Sequence, residues 1–208
     1  MTGRFISLEG GEGVGKSTQM RALAAALRAR GIDVVETREP GGSEGAEEIR
    51  KLLLEGSPDR WSAQTEALLF AAARADHVAR LIKPAVAAGK WVLSDRFLDS
   101  SLAYQGGAGG VNADAIRILH GIGSDGYMPD RTLLLALPPG EAAARASARD
   151  RDGADRIGGR NEIYHASVAA TFDALAFAEP FRFRRIDATG APDDVTARLM
   201  SALATLLP

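Results

Sequence analysis

The chain has 208 residues, 46% of them apolar and 25% charged, the balance of a globular domain with a sizeable core. A formal net charge of −2 supplies no basic face for nucleic acid, and the absence of cysteine removes disulfides and thiolate metal sites. The polar start (Thr2, Gly3, Arg4) and the lack of any run near eighteen apolar residues predict neither signal peptide nor membrane span, so a soluble, cytoplasmic protein is expected.

Five short apolar runs, 5–8, 33–36, 91–94, 132–137 and 181–186, alternate with helical patterns. That alternation predicts one α/β domain over 1–208, a mostly parallel sheet with helices on both faces. Ligands in such folds bind beyond the carboxyl ends of the strands, so the residues just after each run are the candidates.

After the first run comes Gly10-Gly11-Glu12-Gly13-Val14-Gly15-Lys16-Ser17, a complete G-x-x-x-x-G-K-[ST]. Met20, Leu23, Ala24 and Leu27 follow at helical spacing, with a stop at Gly31. Strand, glycine loop and helix form a phosphate site: backbone N–H groups converge on phosphate oxygens and the helix N-terminus adds positive charge. Lys16 reaches the β- and γ-phosphates, and the Ser17 hydroxyl suits Mg²⁺. The chain therefore binds a nucleoside triphosphate.

After the second run stands Thr37-Arg38-Glu39-Pro40-Gly41-Gly42-Ser43. Pro-Gly-Gly fixes a turn and Ser43 suits a helix cap. Arg38 can clamp a phosphate or pair with Glu39 or Glu36. Residues 38–88 are too long for one crossover and read as a substrate-side insertion with helices near 44–56 and 62–88, the second bent near Lys83-Pro84. Phe70 and Arg74 share one face of it, placed to stack and read a base, or else as a core aromatic with a solvated arginine.

The third run ends in Asp95-Arg96: a carboxylate at a strand tip suits Mg²⁺ or its water, and the guanidinium suits a second phosphate, unless the two are simply a structural pair. Ser100-Ser101-Leu102-Ala103-Tyr104-Gln105-Gly106-Gly107 offers Gln105 to a base edge and Tyr104 to a sugar, or ends a helix with Tyr104 in the core. Residues 145–160 carry Arg145, Arg149, Arg151, Asp155, Arg156 and Arg160 among glycines, which reads as a mobile lid that neutralises developing charge or as a solvated charge run. His77, His120 and His165 have no metal-like spacing, and Trp61 and Trp91 read as packing residues.

These marks resemble the thymidylate kinase family from Phe5 to the last strand, above all Leu8-Glu9-Gly10, the Arg-Glu-Pro-Gly-Gly and Tyr-Gln-Gly-Gly signatures, Asp95-Arg96, Asp155-Arg156-Ile157 and Ile186-Asp187-Ala188-Thr189. The resemblance implies a three-layer P-loop kinase fold with a five-stranded parallel sheet and a mobile lid, transferring phosphate from ATP to dTMP with Mg²⁺, usually as a homodimer. It implies that Gly10, Gly11, Glu12, Gly13, Val14, Gly15, Lys16, Ser17 and Thr18 hold the ATP phosphates, with Asp187 and Thr189 beside adenine. Ser17 and Asp95 serve the metal. On the acceptor side it implies Phe70 on thymine, Arg74, Ser101 and Gln105 at the base, and Tyr104 against the deoxyribose. Glu12 sits at the 3′-hydroxyl, and Arg38 and Arg96 on the acceptor phosphate. Lys16, Arg96 and Glu12 belong to the catalytic set. Gly13, where one branch carries arginine, and the arginine-bearing lid resemble the bacterial lid type. Arg149 is then the expected catalytic arginine, ahead of Arg151, with Arg145 a further alternative. The alternative, a different nucleoside monophosphate kinase for adenylate, guanylate or cytidylate, keeps the fold and changes the base pocket. A GTPase switch lacks its N-K-x-D, and its D-x-x-G occurs only in the polar segment at Asp150 and Asp155.

Overall fold

The structure is a computed structural model that describes residues 2–57, 59–138, 140–142, 144–145 and 156–208. Its five strands are β1 (Arg4–Glu9), β2 (Val34–Arg38), β3 (Trp91–Asp95), β4 (Arg131–Ala136) and β5 (Phe183–Asp187). They form one sheet in the order β2-β3-β1-β4-β5, every pairing parallel. Among the described residues the helices include α1 (Lys16–Arg28), α2 (Glu44–Leu54), α3 (Ala63–His77), α4 (Lys83–Ala87), α5 (Leu98–Ser101), which runs on as a π-helix over Leu102–Ala108, α6 (Ala113–Ser124), α7 (Glu162–Ala178) and α8 (Pro192–Ala202).

Strand alternation divides the core between two faces. Ile6, Leu8, Trp91, Leu93, Leu133 and Leu135 pack with Leu23 and Leu27 of α1 and Val195 and Leu199 of α8. Phe5, Val92, Leu134 and Phe183 point the other way, onto Ile82, Phe97, Val168 and Phe172. Helices thus cover both sheet faces, and all five carboxyl ends open on one edge. No helix among the described residues is long and apolar enough to cross a membrane.

Three local expectations change. The helix expected over 62–88 does not simply bend at Pro84. Its winding widens into a π-turn at Val78–Ile82 just before the proline, which has no N–H to return to the Arg80 carbonyl. The last strand begins at Phe183, and Phe181 is 89% exposed while its carbonyl accepts from Arg131. Ser43 stands at the start of α2 but does not cap it; its hydroxyl donates to Asp76 Oδ2 at 2.6 Å, tying α2 to α3 instead.

Two glycines show why their turns tolerate nothing larger. Gly10 has φ +138°, and a Cβ there would lie 2.5 Å from the Leu135 carbonyl of the neighbouring strand. Gly42 has φ +90°, and a Cβ would strike the Thr37 hydroxyl and the His77 ring.

Candidate active site

The carboxyl ends of β1 and β3 lie side by side, with Leu8 paired to Asp95, so the glycine loop and Asp95-Arg96 share one edge. At α1 no side chain caps the first turn, which leaves its N–H groups for an anion. Lys16 Nζ donates to the carbonyls of Gly10 at 3.0 Å and Gly11 at 2.8 Å. Burial, with Arg96 nearby, pulls its pKa down to about 8. A polyphosphate beside it would favour the charged form again. Ser17 and Thr18 are exposed. The Ser17 hydroxyl donates to Asp95 Oδ2 at 3.1 Å. A hydroxyl and one carboxylate, completed by phosphate oxygens and water, suit Mg²⁺. Among the described residues no group of three or more His, Cys, Asp or Glu side chains is placed to hold a metal by itself. Beyond β5, Asp187 Oδ1 accepts from the Thr189 N–H and hydroxyl, and α8 is tied to α1 through Gln19 and Pro192.

Arg96 takes φ +73°, a backbone conformation rare for a bulky residue and found where surroundings over-determine it. Its guanidinium donates to Glu12 Oε1 at 2.5 Å, to the Gly10 carbonyl and Ser100 Oγ at 3.1 Å each, and lies 4.8 Å from the Tyr104 ring centre. The Tyr104 hydroxyl donates to the same Glu12 oxygen at 3.0 Å. Glu12, Arg96 and Tyr104 therefore form one hydrogen-bonded unit.

Behind them Glu9 is fully buried, accepting from the Phe97 N–H at 2.8 Å and from Ser100 Oγ at 2.6 Å. Burial, reinforced by the Asp99 charge, pushes its pKa up to about 8. Glu9 thereby holds Ser100, which in turn touches Arg96.

Next to this unit opens a cleft enclosing about 550 Å³, solvent included, whose walls include Glu12, Phe70, Arg74, Arg96, Ser101, Tyr104 and Gln105. All seven are residues the sequence placed on the acceptor side. Arg74 is only 2% exposed, so it is no solvated arginine. Its Nε donates to Glu39 Oε2 at 2.8 Å and its terminal nitrogen to Ser101 Oγ at 2.7 Å. Glu39 also meets His77 Nδ1 at 3.0 Å, and His77 Nε2 meets Thr37 Oγ1 at 2.8 Å. Gln105 Nε2 donates to Glu66 Oε1 at 3.0 Å.

Arg38 is the exception. It lies outside the cleft walls and pairs with neither Glu39 nor Glu36, but with Glu47 of α2 at 3.0 Å. Glu47 is anchored there by the Gly42 N–H at 2.9 Å, and Glu36 is taken by Arg28. The arginine lining the cleft from that side is Arg50, which donates to the Pro40 carbonyl. Sequence reasoning missed Arg50, Glu66, Glu39, His77 and Glu9. Arg50 carried a signal, four residues before Leu54 on a helix whose other wall residue is apolar. Arg149 and Arg151 lie outside the described residues. Arg145 pairs loosely with Glu141 at 3.7 Å.

A glycine loop at the N-terminus of a helix, beside a cleft lined by three arginines, on the carboxyl edge of a parallel sheet, defines a P-loop phosphotransferase of nucleotides. A sequence model of thymidylate kinase matches residues 8–199. The chain is 66% identical over all 208 residues of both chains to a thymidylate kinase of Rhizorhabdus wittichii. It is 48% identical to one from a Synechococcus strain, over 98% of this chain and 96% of the other. The crystal structure of thymidylate kinase from Ehrlichia chaffeensis superposes with a TM-score of 0.78 at 29% identity, covering 98% of this chain and all of that one. The chain belongs to the thymidylate kinase family.

Proposed function

We infer that the chain transfers the γ-phosphate of ATP to dTMP, giving dTDP and ADP. The observation that carries this reading is the cleft of Phe70, Arg74, Tyr104 and Gln105 meeting the Lys16 loop through Glu12 and Arg96. Such a juxtaposition brings two nucleotides phosphate to phosphate. An oxygen of the acceptor phosphate forms the new P–O bond, and the bond from the γ-phosphorus to its bridging oxygen breaks, leaving ADP. The acceptor is already ionised, so positioning and charge stabilisation dominate and no strong general base is needed.

Lys16 and the loop N–H groups hold the donor phosphates. Arg96 and Arg50 face the acceptor phosphate, with Arg38 available from its exposed pair with Glu47. Phe70 stacks on the base, Arg74, Ser101 and Gln105 read its edge, and Tyr104 with Glu12 meets the deoxyribose. Ser17 and Asp95 would hold Mg²⁺, which would supply charge neutralisation at the donor phosphates. Asp187 and Thr189 lie toward adenine, and Arg149, with Arg151 as second choice, stabilises the transferring group. Residues 1–208 act as one domain with the acceptor insertion at 38–88 and the lid at 145–160, working in the cytoplasm.

A homodimer is part of this reading. Leu68 of α3 and Ile118 and Ile122 of α6 are exposed apolar side chains on two helices that pack together, and we take this face as the one a second copy would cover. Ile122→Glu should halve the molar mass measured by light scattering. A coupled ADP-release assay with dTMP, dUMP, dCMP, AMP and GMP tests the activity. ATP consumption no faster with dTMP than without it would refute it.

A further inference from the structure

We propose that Glu66, which the cleft does not display to a ligand, decides which pyrimidine the cleft accepts, by fixing the orientation of the Gln105 amide. This rests on the thymidylate reading above.

Glu66 is 2% exposed on α3, and its two carboxyl oxygens have separate tasks. Oε2 accepts from Arg156 and, at 2.9 Å, from Arg160, so two guanidinium groups balance its charge in a buried site. Oε1 accepts from Gln105 Nε2 at 3.0 Å. A carboxylate can only accept, so the amide must turn its NH₂ end toward Glu66. Its carbonyl oxygen is then the end left for the cleft. Beside it Arg74, held by Glu39 and Ser101, offers only donors.

The wall thus presents an acceptor next to a donor. A pyrimidine with N3–H beside a 4-carbonyl presents the complement. A 4-aminopyrimidine presents the reverse, and both contacts fail. A free glutamine could rotate its amide to suit the second base. Here rotation would bring its carbonyl against the Glu66 carboxylate, two acceptors in a buried site, which is what makes the rejection firm. Glu66 is a positioning residue: it acts through Gln105 and touches no substrate.

The test is kcat/KM for dTMP, dUMP and dCMP in the full-length wild type, in Glu66→Gln, and in the exchanged pair Glu66→Gln/Gln105→Glu. The single change removes the constraint on the amide. The dTMP:dCMP preference should fall at least about tenfold, the scale of one buried polar group left unpaired. The dTMP:dUMP ratio should stay within about threefold, since both bases carry N3–H beside a carbonyl. In the exchanged pair the introduced amide donates to the introduced carboxylate, whose other oxygen again faces the cleft, and most of the preference should return. A dTMP:dCMP ratio that moves less than about threefold in Glu66→Gln overturns the proposal. So does a dUMP ratio that moves as far as the dCMP ratio, which would mark general loosening. If Glu66→Gln yields no folded protein by circular dichroism, Glu66→Asp keeps the charge toward both arginines but withdraws it by about 1.5 Å. A threefold or greater loss of preference is then expected, and an unchanged ratio overturns the proposal. Wild-type protein inactive on dTMP would overturn the thymidylate reading itself, and this one with it. Active wild type with an unmoved variant ratio would overturn this one alone.

Discussion

The two halves of the site are built on different principles. On the donor side the cation and hydroxyl that matter are satisfied by groups a ligand can replace. Lys16 leans on two backbone carbonyls, Ser17 on Asp95, and the first turn of α1 has no side-chain cap. Around the cleft the polar side chains are fixed by carboxylates: Arg74 by buried Glu39, Gln105 by buried Glu66, and Arg96 by half-buried Glu12 and, through Ser100, by buried Glu9. A triphosphate is recognised by charge, which tolerates adjustment. A base is recognised by the direction of single hydrogen bonds, which does not.

Substitutions can break this contrast, and the largest effect belongs to the donor side. Arg149→Ala should cost on the order of 10³-fold in kcat, by comparison with arginine fingers. Single-turnover kinetics check it, and a loss below tenfold for both Arg149→Ala and Arg151→Ala would remove the lid from catalysis. Arg96→Ala comes next. It removes the guanidinium that lines the cleft beside Glu12, so KM for dTMP should rise on the order of 10²-fold and KM for ATP far less. Equal rises in both would show that Arg96 serves the two halves alike.

A third effect reports on the buried support. The Glu9 carboxyl is raised from 4.5 to about 8. The unfolded chain releases this proton near 4.5 and the folded chain keeps it to about 8, so the stability from Glu9 is complete below 4.5 and lost as pH rises through about 8. The slope is up to about 1.4 kcal/mol per pH unit. Urea midpoints at pH 5 and pH 8 should differ less in Glu9→Gln than in wild type. Parallel shifts in the two proteins would count against the assignment. The smallest effect is expected at the Arg38–Glu47 pair, whose arginine is 54% exposed. Such pairs contribute about 0–1 kcal/mol. Glu47→Gln should change the calorimetric Kd for dTMP less than about fivefold, and a larger change would place Arg38 among the pre-organised groups.

Legibility in the sequence followed the range of the signal. The five strands and the glycine loop are written in local patterns: short apolar runs and glycine spacing. The seven cleft residues are singled out through the family resemblance, since the local pattern at Phe70 and Arg74, inside α3, suits a core aromatic and a solvated arginine equally. Element ends shifted by one or two residues, as at Phe181, left outside β5, and Ser43 was drawn from its cap to Asp76. What escaped was the supporting layer. Glu66 meets Gln105 across 39 residues and Arg156 across 90, and Glu9 meets Ser100 across 91. No pattern within one segment encodes such pairs, and His77, read as inert, proves to be a link between Thr37 and Glu39.

The pairing of β1 with β3 has a further consequence for how the protein meets heat or denaturant. Because residues 9–17 and 95–105 make one site only when that pairing exists, neither nucleotide has anything to hold in a partly assembled chain. Occupancy of either pocket then bears on the whole molecule rather than on one segment: a ligand at a hundred times its Kd adds about 2.7 kcal/mol to global unfolding. The metabolite pool would itself set how long the protein survives.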